Sequence, residues 1–166
     1  MSFLGNFTIE SLITSELPTS LLKAKVKEIA ASKVFFFDCG VVSALLNQLN
    51  LPLGDNKGSL FETFIINEVK SYISYSNQRA DIEYWGGAHQ GGEVDLIITV
   101  DGVKTGVEIK SSKKYSREFS KHLQELIDNK KIHHGIGVYC GPHEHKDQSV
   151  RFLNYLAFLK KLMPEK

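Results

Sequence analysis

Apolar and polar positions follow a regular pattern only after Gly58. Apolar residues at helical spacing predict a helix over residues 59–75, and an apolar and aromatic run predicts a strand over residues 82–85. The next predicted elements are strand, strand, helix and strand, at residues 94–100, 103–110, 116–129 and 136–140. The order α-β-β-β-α-β predicts an α/β fold, which a strand at residues 150–154 and a short helix ending at Leu162 complete.

The N-terminal region has weaker patterns. Residues 34–37 are apolar and predict a buried strand or an extended segment, and Asp38 is placed to cap a helix over residues 41–49. Residues 1–33 give only weak helical signals, which Pro18 interrupts. The pattern therefore leaves the start of the chain without a firm assignment.

A stretch rich in Pro, Gly, Asp and Asn separates the two regions, at residues 51–58. It predicts an N-terminal extension, residues 1–57, that packs on a core domain of residues 58–166. The chain has 166 residues, of which 42% are hydrophobic and 23% charged, an ordinary balance for a globular domain. Its formal net charge is +1. A nucleic-acid partner would therefore have to be recognised through local charge.

Two of the predicted strands are joined by the dipeptide Asp-Gly at residues 101–102, a strong signal for a tight β-hairpin. If Val100 faces Val103, Asp95 lies directly opposite Glu108. Period-two alternation then divides the side chains between two faces. The first face carries Asp95, Ile97, Glu108 and Lys110, and the second carries Val94, Leu96, Ile98, Val107 and Ile109.

Two carboxylates that face each other on neighbouring strands repel, which destabilises a hairpin unless a cation compensates. Hard cations such as Mg²⁺ prefer carboxylate oxygens and water as ligands. We therefore interpret Asp95 and Glu108 as a divalent-metal pair, and Ile97 on the same face indicates that this face is covered. The alternative is a solvated hairpin face with incidental charges.

Glu62 gives a separate indication of the same site. Its neighbours on a helical wheel are Ile66, Val69 and Ile73. It thus lies on the apolar face of its helix, where an unpaired carboxylate is costly. If this helix packs on the polar face of the hairpin, Glu62 points at Asp95 and Glu108. The alternative is a capping box, in which Ser59 caps the helix and Glu62 turns back to the chain.

The order and spacing of four short motifs resemble a known domain. The motifs are Lys33-Val34-Phe35-Phe36-Phe37-Asp38-Cys39-Gly40, Gly58-Ser59-Leu60-Phe61-Glu62, Glu93-Val94-Asp95 and Glu108-Ile109-Lys110. With the α-β-β-β-α-β order, they look like the PD-(D/E)XK nuclease superfamily, which includes restriction endonucleases and archaeal Holliday-junction resolvases. More closely, over residues 30–162, they resemble a domain of unknown function at the C-terminus of prokaryotic AAA-type ATPases.

The resemblance implies a restriction-endonuclease-like core, with a mixed sheet flanked by helices, and the chemistry of a metal-dependent endonuclease. It implies that Asp95, Glu108 and the Ile109 carbonyl ligate Mg²⁺ or Mn²⁺. Glu62 would bind the ion directly or through water. Lys110 would hold or polarise the attacking water and offset phosphate charge. The implied reaction is metal-assisted hydrolysis of a phosphodiester bond.

Two features depart from the resemblance. Val94 stands at the position of the proline in the superfamily's name, although the ATPase-linked domain usually has Glu-Val-Asp here as well. The chain also has no Gly-x-x-x-x-Gly-Lys-Ser/Thr segment, the motif that binds ATP phosphates. An ATPase domain or partner is therefore expected outside this chain.

Local charge indicates where nucleic acid would bind. Residues 104–131 carry eight Lys or Arg and four Asp or Glu. The candidates to follow a nucleic-acid backbone are Lys113, Lys114, Arg117 and Lys121. The alternative is an ordinary solvated helix face.

The remaining histidines and cysteines indicate no second site. The histidine groups at residues 133–134 and 143–145 have no spacing typical of zinc ligands, and the first is expected to open a strand while the second occupies a turn. Cys39 and Cys140 fit small apolar residues in a reducing compartment. No segment reaches the roughly 18 apolar residues that a membrane span needs, so we expect a cytoplasmic protein without a membrane partner.

Three possibilities stay open, the third of which is a decayed remnant whose residues 1–57 serve only as dimer surface or packing. The first is a Mg²⁺-dependent nuclease, with DNA favoured over RNA as substrate. The second is a non-catalytic nucleic-acid-binding or docking module of an AAA-type ATPase that reuses the nuclease fold. The complete set of acids and Lys110 favours catalysis, because a structural fold does not need four costly polar groups together.

Overall fold

The computed structural model describes residues 14–18, 33–36, 38, 40, 57–76, 79–86 and 92–162. The helices in these ranges are α1 (Lys57–Ser76), α2 (Lys121–Asp128) and α3 (Tyr155–Leu162), with a 3₁₀ helix at Arg117–Ser120. The strands are β1 (Thr14–Leu17), β2 (Lys33–Phe36), β3 (Ala80–Trp85), β4 (Val94–Val100), β5 (Val103–Lys110), β6 (His134–Tyr139), β7 (His145–Asp147) and β8 (Val150–Asn154). The predicted order α-β-β-β-α-β is confirmed. None of the helices within these ranges is long and apolar enough to cross a membrane.

Six strands form one mixed sheet, in the order β3-β4-β5-β6-β8-β7. Antiparallel pairing joins β3 to β4 and β4 to β5, and parallel pairing joins β5 to β6 and β6 to β8. β7 pairs with β8 in antiparallel fashion at the edge. β1 and β2 form a separate two-stranded antiparallel sheet. The architecture is therefore mixed α/β, as the pattern predicts.

The hairpin of β4 and β5 has the predicted register. The two turn residues, at positions 101 and 102, have φ of 49° and 81°, the left-handed values that a type I′ turn requires. Val100 pairs with Val103, and the pairing continues to Leu96 opposite Val107. Turn chemistry alone was sufficient to place these strands against each other.

Two hydrophobic clusters cover the two faces of the sheet. The cluster under α1 includes Ile65, Ile66, Val69, Leu96, Val107 and Ile109. The cluster under α2 includes Trp85, Val94, Ile97, Leu123, Leu126 and Phe152. The condition under which Glu62 would point at Asp95 and Glu108, that α1 packs on the polar face of the hairpin, is therefore not met. The apolar stripe of α1 is buried against the apolar face instead, because that contact removes more apolar surface from water.

A β-bulge in β4 explains a second difference from the predicted faces. Val94 packs with Ile97 on the α2 side of the sheet, not on the α1 side. The pairing of β3 with β4 passes from Glu83 opposite Ile97 to Trp85 opposite Val94. Two steps along β3 thus match three steps along β4, and one extra residue interrupts the alternation. Asp95 lies inside this interruption.

Helix α1 begins before the predicted cap. Its first residue is Lys57, so Ser59 lies within the first turn, and the Ser59 carbonyl accepts a hydrogen bond from Thr63 Oγ1 at 2.8 Å. The capping-box alternative is therefore wrong. Glu62 pairs instead with Lys33 of β2.

The strands before α1 pack on the core through apolar side chains. Leu17 and Phe35 belong to the cluster under α1, and the Tyr84 N–H donates to the Pro18 carbonyl at 2.9 Å. The sequence pattern missed β1, because Thr-Ser-Glu-Leu has too short an alternation to indicate a strand. The predicted helix over residues 41–49 lies outside the described residues. The division of the chain after residue 57 stays a prediction.

Candidate functional site

Asp95 is a buried carboxylate held in the bulge of β4. It is only 7% exposed, and its Oδ2 accepts a hydrogen bond from the Ile109 N–H at 2.7 Å. Burial, together with the charges of Glu108 and Glu62, raises the pKa of Asp95 to about 8. The hydrogen bond from Ile109 and the charge of Lys110 act in the opposite direction and do not outweigh these effects. Asp95 is therefore fixed in place but poorly compensated as an anion.

Glu108 and Lys110 form an ion pair on β5. Glu108 is 6% exposed, and its Oε1 lies 2.5 Å from Lys110 Nζ. Its Oε2 is buried and has no hydrogen-bond partner among the described residues. Burial raises the pKa of Glu108, although Lys110 acts to lower it. Burial alone would lower the pKa of Lys110, but the charge of Glu108 and the hydrogen bond to it outweigh burial and raise that pKa.

Glu62 lies beside this pair and is held by a lysine from the N-terminal strand. Lys33 Nζ lies 3.2 Å from Glu62 Oε1 and also pairs with Glu93. The same ammonium group lies over the ring of Tyr84, 5.2 Å from its centroid. Burial alone would lower the pKa of Lys33, but the hydrogen bond to Glu93 and the charges of Glu62, Glu93 and Asp95 raise it. We call the acidic residues at this place, Glu62, Glu93, Asp95 and Glu108, the carboxylate cluster. Among the described residues, the ammonium groups of Lys33 and Lys110 pair with it.

The structure brings three of the predicted residues together and places the fourth next to them. Asp95, Glu108 and Lys110 lie on paired strands, whereas Glu62 acts on them through its charge and contacts another lysine. Within the described ranges, no three His, Cys, Asp or Glu side chains are arranged so that they could hold a metal ion. The metal site of three carboxylates therefore stays a prediction.

The four basic residues expected to bind nucleic acid are all exposed: Lys113, Lys114, Arg117 and Lys121. Arg117 and Lys121 line a polar surface cleft of about 600 Å³. The same cleft is lined by Glu125, Asp128 and Asp147, which offset the basic charge at this place. The spacing of basic residues in the sequence did not reveal this compensation. Their role in nucleic-acid binding stays a prediction.

A second polar cluster, which the sequence did not indicate, joins the 3₁₀ helix to β7. Asp147 Oδ2 accepts hydrogen bonds from Ser120 Oγ at 2.6 Å and from Tyr115 OH at 2.8 Å. These two donors lower the pKa of Asp147. His145 stacks on Tyr115, with ring centroids 4.7 Å apart. The turn expected at residues 143–145 is therefore wrong at its last residue, because His145 begins β7.

Lys33 is a residue of the site to which sequence reasoning gave no role. It is separated from Glu62 by 29 positions, so no local periodicity joins the two. The packing of β2 against the core brings them together. The sequence feature that could have indicated a role for Lys33 is its place at the start of the motif at residues 33–40.

These features define a mixed α/β domain whose sheet carries a buried pair of carboxylates with a lysine beside it. Residues 57–158 match the family described as "Domain of unknown function (DUF4143)", which is well over half of the 166 residues. The chain belongs to this family. No curated protein matches it. The resemblance is thus confirmed at the level of this family, and the link to PD-(D/E)XK nucleases stays a prediction.

Proposed function

We propose that this chain is a nuclease-like domain that hydrolyses phosphodiester bonds in nucleic acid with Mg²⁺ or Mn²⁺, and that DNA is favoured over RNA. The proposal includes the restriction-endonuclease-like arrangement and an AAA-type ATPase domain as a partner. The observation that carries it is the buried Oε2 of Glu108, which has no hydrogen-bond partner among the described residues. Beside it lies Asp95, also buried and poorly compensated.

The donor atoms fit a hard divalent cation. Asp95 and Glu108 offer carboxylate oxygens in a buried place, and the Ile109 carbonyl would add a neutral oxygen. Glu62 is near enough for its charge to raise the pKa of both carboxylates. When bound, the ion would stabilise charge on a phosphoryl oxygen and lower the pKa of a bound water.

Lys110 is placed to act on the substrate. Its Nζ contacts Glu108, and its side chain is 35% exposed, so it reaches both the carboxylates and the solvent. In the proposed reaction, Lys110 orients the attacking water and offsets the charge of the phosphate. Its raised pKa keeps the ammonium group charged at neutral pH.

A cleavage assay with Mg²⁺ or Mn²⁺ on single-stranded, duplex and branched DNA and RNA tests the proposal. Lys110→Ala should lower the cleavage rate by about 100-fold or more, which is typical when a charge-stabilising group is removed. Circular dichroism and metal binding should stay close to those of the parent. Asp95→Asn should remove cleavage as well, because the metal would lose a ligand.

Lys104→Ala is the matched control, because Lys104 lies on the same strand at its opposite end. Cleavage by the parent and this control, but not by Lys110→Ala, supports the proposal. Equal cleavage by all three proteins contradicts the role of Lys110 and indicates a contaminating nuclease. Absence of cleavage by the parent on every substrate contradicts a nuclease activity of this chain by itself.

A second candidate function is favoured by the ion pairs of the site. Two lysines already pair with three of its carboxylates, so that the cluster is neutralised in part without a metal. Such a domain could serve as a non-catalytic nucleic-acid-binding or docking module. Its DNA affinity should then fall with salt, stay unchanged in Asp95→Asn, and weaken when Lys113 and Lys114 are both replaced by Ala.

A further inference from the structure

Lys33 enters the carboxylate cluster from outside the part of the chain that matches the family. It is the first residue of β2, whereas the match begins at residue 57. Its Nζ lies 3.2 Å from Glu62 Oε1, pairs with Glu93 and lies over the ring of Tyr84. An N-terminal strand therefore supplies a cation to a cluster built by α1, β4 and β5.

Packing fixes Lys33 in this place. Phe35, two residues further along β2, is buried in the cluster under α1. The carbonyl of Phe36 accepts a hydrogen bond from Asn67 Nδ2 on α1 at 2.7 Å. Leu17, on the paired strand β1, is fully buried. The lysine is thus delivered by a docked strand, and its position depends on that docking.

We propose that Lys33 is an internal counter-ion that competes with the divalent cation for Glu62. The inference rests on the proposed function and extends its metal site to Glu62, which lies close enough to act on Asp95 and Glu108 through its charge. An ammonium group 3.2 Å from a carboxylate oxygen occupies one side of that ligand. Its positive charge also repels any second cation in the same cluster.

Glu93 offers Lys33 a partner after displacement. The Glu93 side chain is about half exposed, at 51%, while the Glu62 side chain is 22% exposed. When a metal ion binds Glu62, Lys33 can therefore give up its contact with Glu62 and keep its contact with Glu93 near the surface. The docking of β2 would thereby set how strongly the cluster binds a metal.

Titration of the full chain with Mn²⁺ and with Mg²⁺ by isothermal calorimetry tests the competition. Lys33→Met removes the charge and keeps most of the apolar stem. It should tighten metal binding by about tenfold or more, because an ammonium group and a dication a few ångströms apart repel by that factor even with the screening of water.

Lys70→Met is the matched control. Lys70 is also half-buried at the contact between α1 and β2, but its Nζ lies over the ring of Phe35, 5.8 Å from the centroid. Its substitution removes a lysine from the same strand contact and leaves the Lys33 ion pairs in place. Metal affinity should stay that of the parent.

The outcomes separate the two proposals. Tighter binding in Lys33→Met alone supports the counter-ion role. Unchanged or weaker binding in Lys33→Met, with a parent that does bind metal, overturns this role and leaves the proposed function standing. Equal tightening in both variants also overturns it, because loosening of the strand would then be the cause. Binding by none of the three proteins overturns both proposals.

A second measurement needs no substitution and so does not depend on how a variant folds. Acetylation rates of individual lysines are measured in the parent by mass spectrometry, with and without saturating Mn²⁺. Lys33 should react several-fold faster with the metal, because its Nζ loses the contact with Glu62 and becomes more accessible to the reagent. Lys70 should react at the same rate with and without Mn²⁺. An unchanged rate for Lys33 in metal-saturated protein overturns the counter-ion role.

Discussion

Two aspartates of the sheet show how differently the same carboxyl group is held in this molecule. Asp95 is buried in the bulge of β4, accepts one backbone hydrogen bond and has its pKa raised to about 8. Asp147 lies half-buried on β7, accepts hydrogen bonds from two hydroxyl groups and has its pKa lowered. Both have hydrogen-bond donors, so hydrogen bonding alone does not decide the direction of the shift.

The difference lies in burial and in the neighbouring charges. Burial is the main cause of the shift at Asp95, and Glu108 and Glu62 add to it, whereas the charge of Arg117 helps to lower the pKa of Asp147. Each unit by which a pKa is raised disfavours the charged form by about 1.4 kcal/mol. A fold gains nothing in stability from two such carboxylates side by side. The raised pKa of Asp95 therefore makes its region a candidate for function.

A bound divalent cation should compensate the charge of Asp95 and so remove most of its difference from Asp147. The stabilisation of the fold by this cation is the largest effect that we expect. Mn²⁺ at about 100 times its dissociation constant should raise the free energy of unfolding by about 2.7 kcal/mol. At one fixed Mn²⁺ concentration the rise should be larger near pH 8 than near pH 5, because Asp95 has to lose its proton to bind the ion and its pKa is about 8, so the dissociation constant is larger in acid. Denaturant unfolding at both pH values measures it.

Two variants locate the response. Glu108→Gln should lose most of the stabilisation by Mn²⁺, because it removes the charge of the carboxylate whose Oε2 has no hydrogen-bond partner among the described residues. Asp147→Asn should keep the response of the parent. A response that is equal in all three proteins would place the bound cation elsewhere and leave the contrast between the two aspartates without a functional meaning.

Without metal, Asp95→Asn should stabilise the chain at neutral and alkaline pH by about 1.4 kcal/mol or more, the worth of at least one pKa unit. The pKa of Asp95 is about 8 when folded, against an ordinary 3.8, so the folded state binds a proton that the unfolded state has lost between these values. The resulting stability is complete below 3.8 and is lost as pH rises through 8. Asparagine keeps an oxygen for the Ile109 N–H and carries no charge.

The measurement is the difference in unfolding free energy between Asp95→Asn and the parent, taken from about pH 4 to about pH 9. The difference should grow over this range and then level off. A difference that does not depend on pH would show that Asp95 ionises as easily in the folded chain as in the unfolded one.

The hairpin at the centre of the site could be predicted from the sequence because its determinants are local. Asp-Gly at residues 101–102 fixes the turn, and the turn fixes which residues face each other. The observed pairing extends to Leu96 opposite Val107, next to Asp95 and Glu108, and the direct pairing of these two acids stays a prediction. Local patterns also predicted the order of elements after residue 57, where helical and strand periodicities are distinct.

The parts that the sequence did not predict depend on packing between distant segments. The side of the sheet on which α1 packs is decided by burial of its apolar stripe, and the bulge at Asp95 arises where β3 and β4 fall out of register. Lys33 reaches Glu62 only because β2 docks on the core. None of these contacts leaves a periodic trace, so local patterns did not reveal that Lys33 pairs with Glu62.

The smallest expected effect concerns the other aspartate. Ser120→Ala removes one of the two hydroxyl donors to Asp147, and Tyr115→Phe removes the other while it keeps the ring that stacks on His145. Each should lower the unfolding temperature by a few degrees at neutral pH and by less in acid. A carboxylate with a lowered pKa contributes stability above its ordinary pKa of 3.8, and this is lost as pH falls through the folded value.

Thermal unfolding of the parent and both variants, at about pH 7 and about pH 3, measures this effect. Asp147→Asn supplies the reference, because in that background neither hydroxyl substitution should depend on pH. If Ser120→Ala costs the same at both pH values in the parent, the hydroxyl stabilises the fold without regard to the charge of Asp147. The Asp147 region would then be insensitive to protonation, and the contrast between the two aspartates would come from the burial of Asp95 alone.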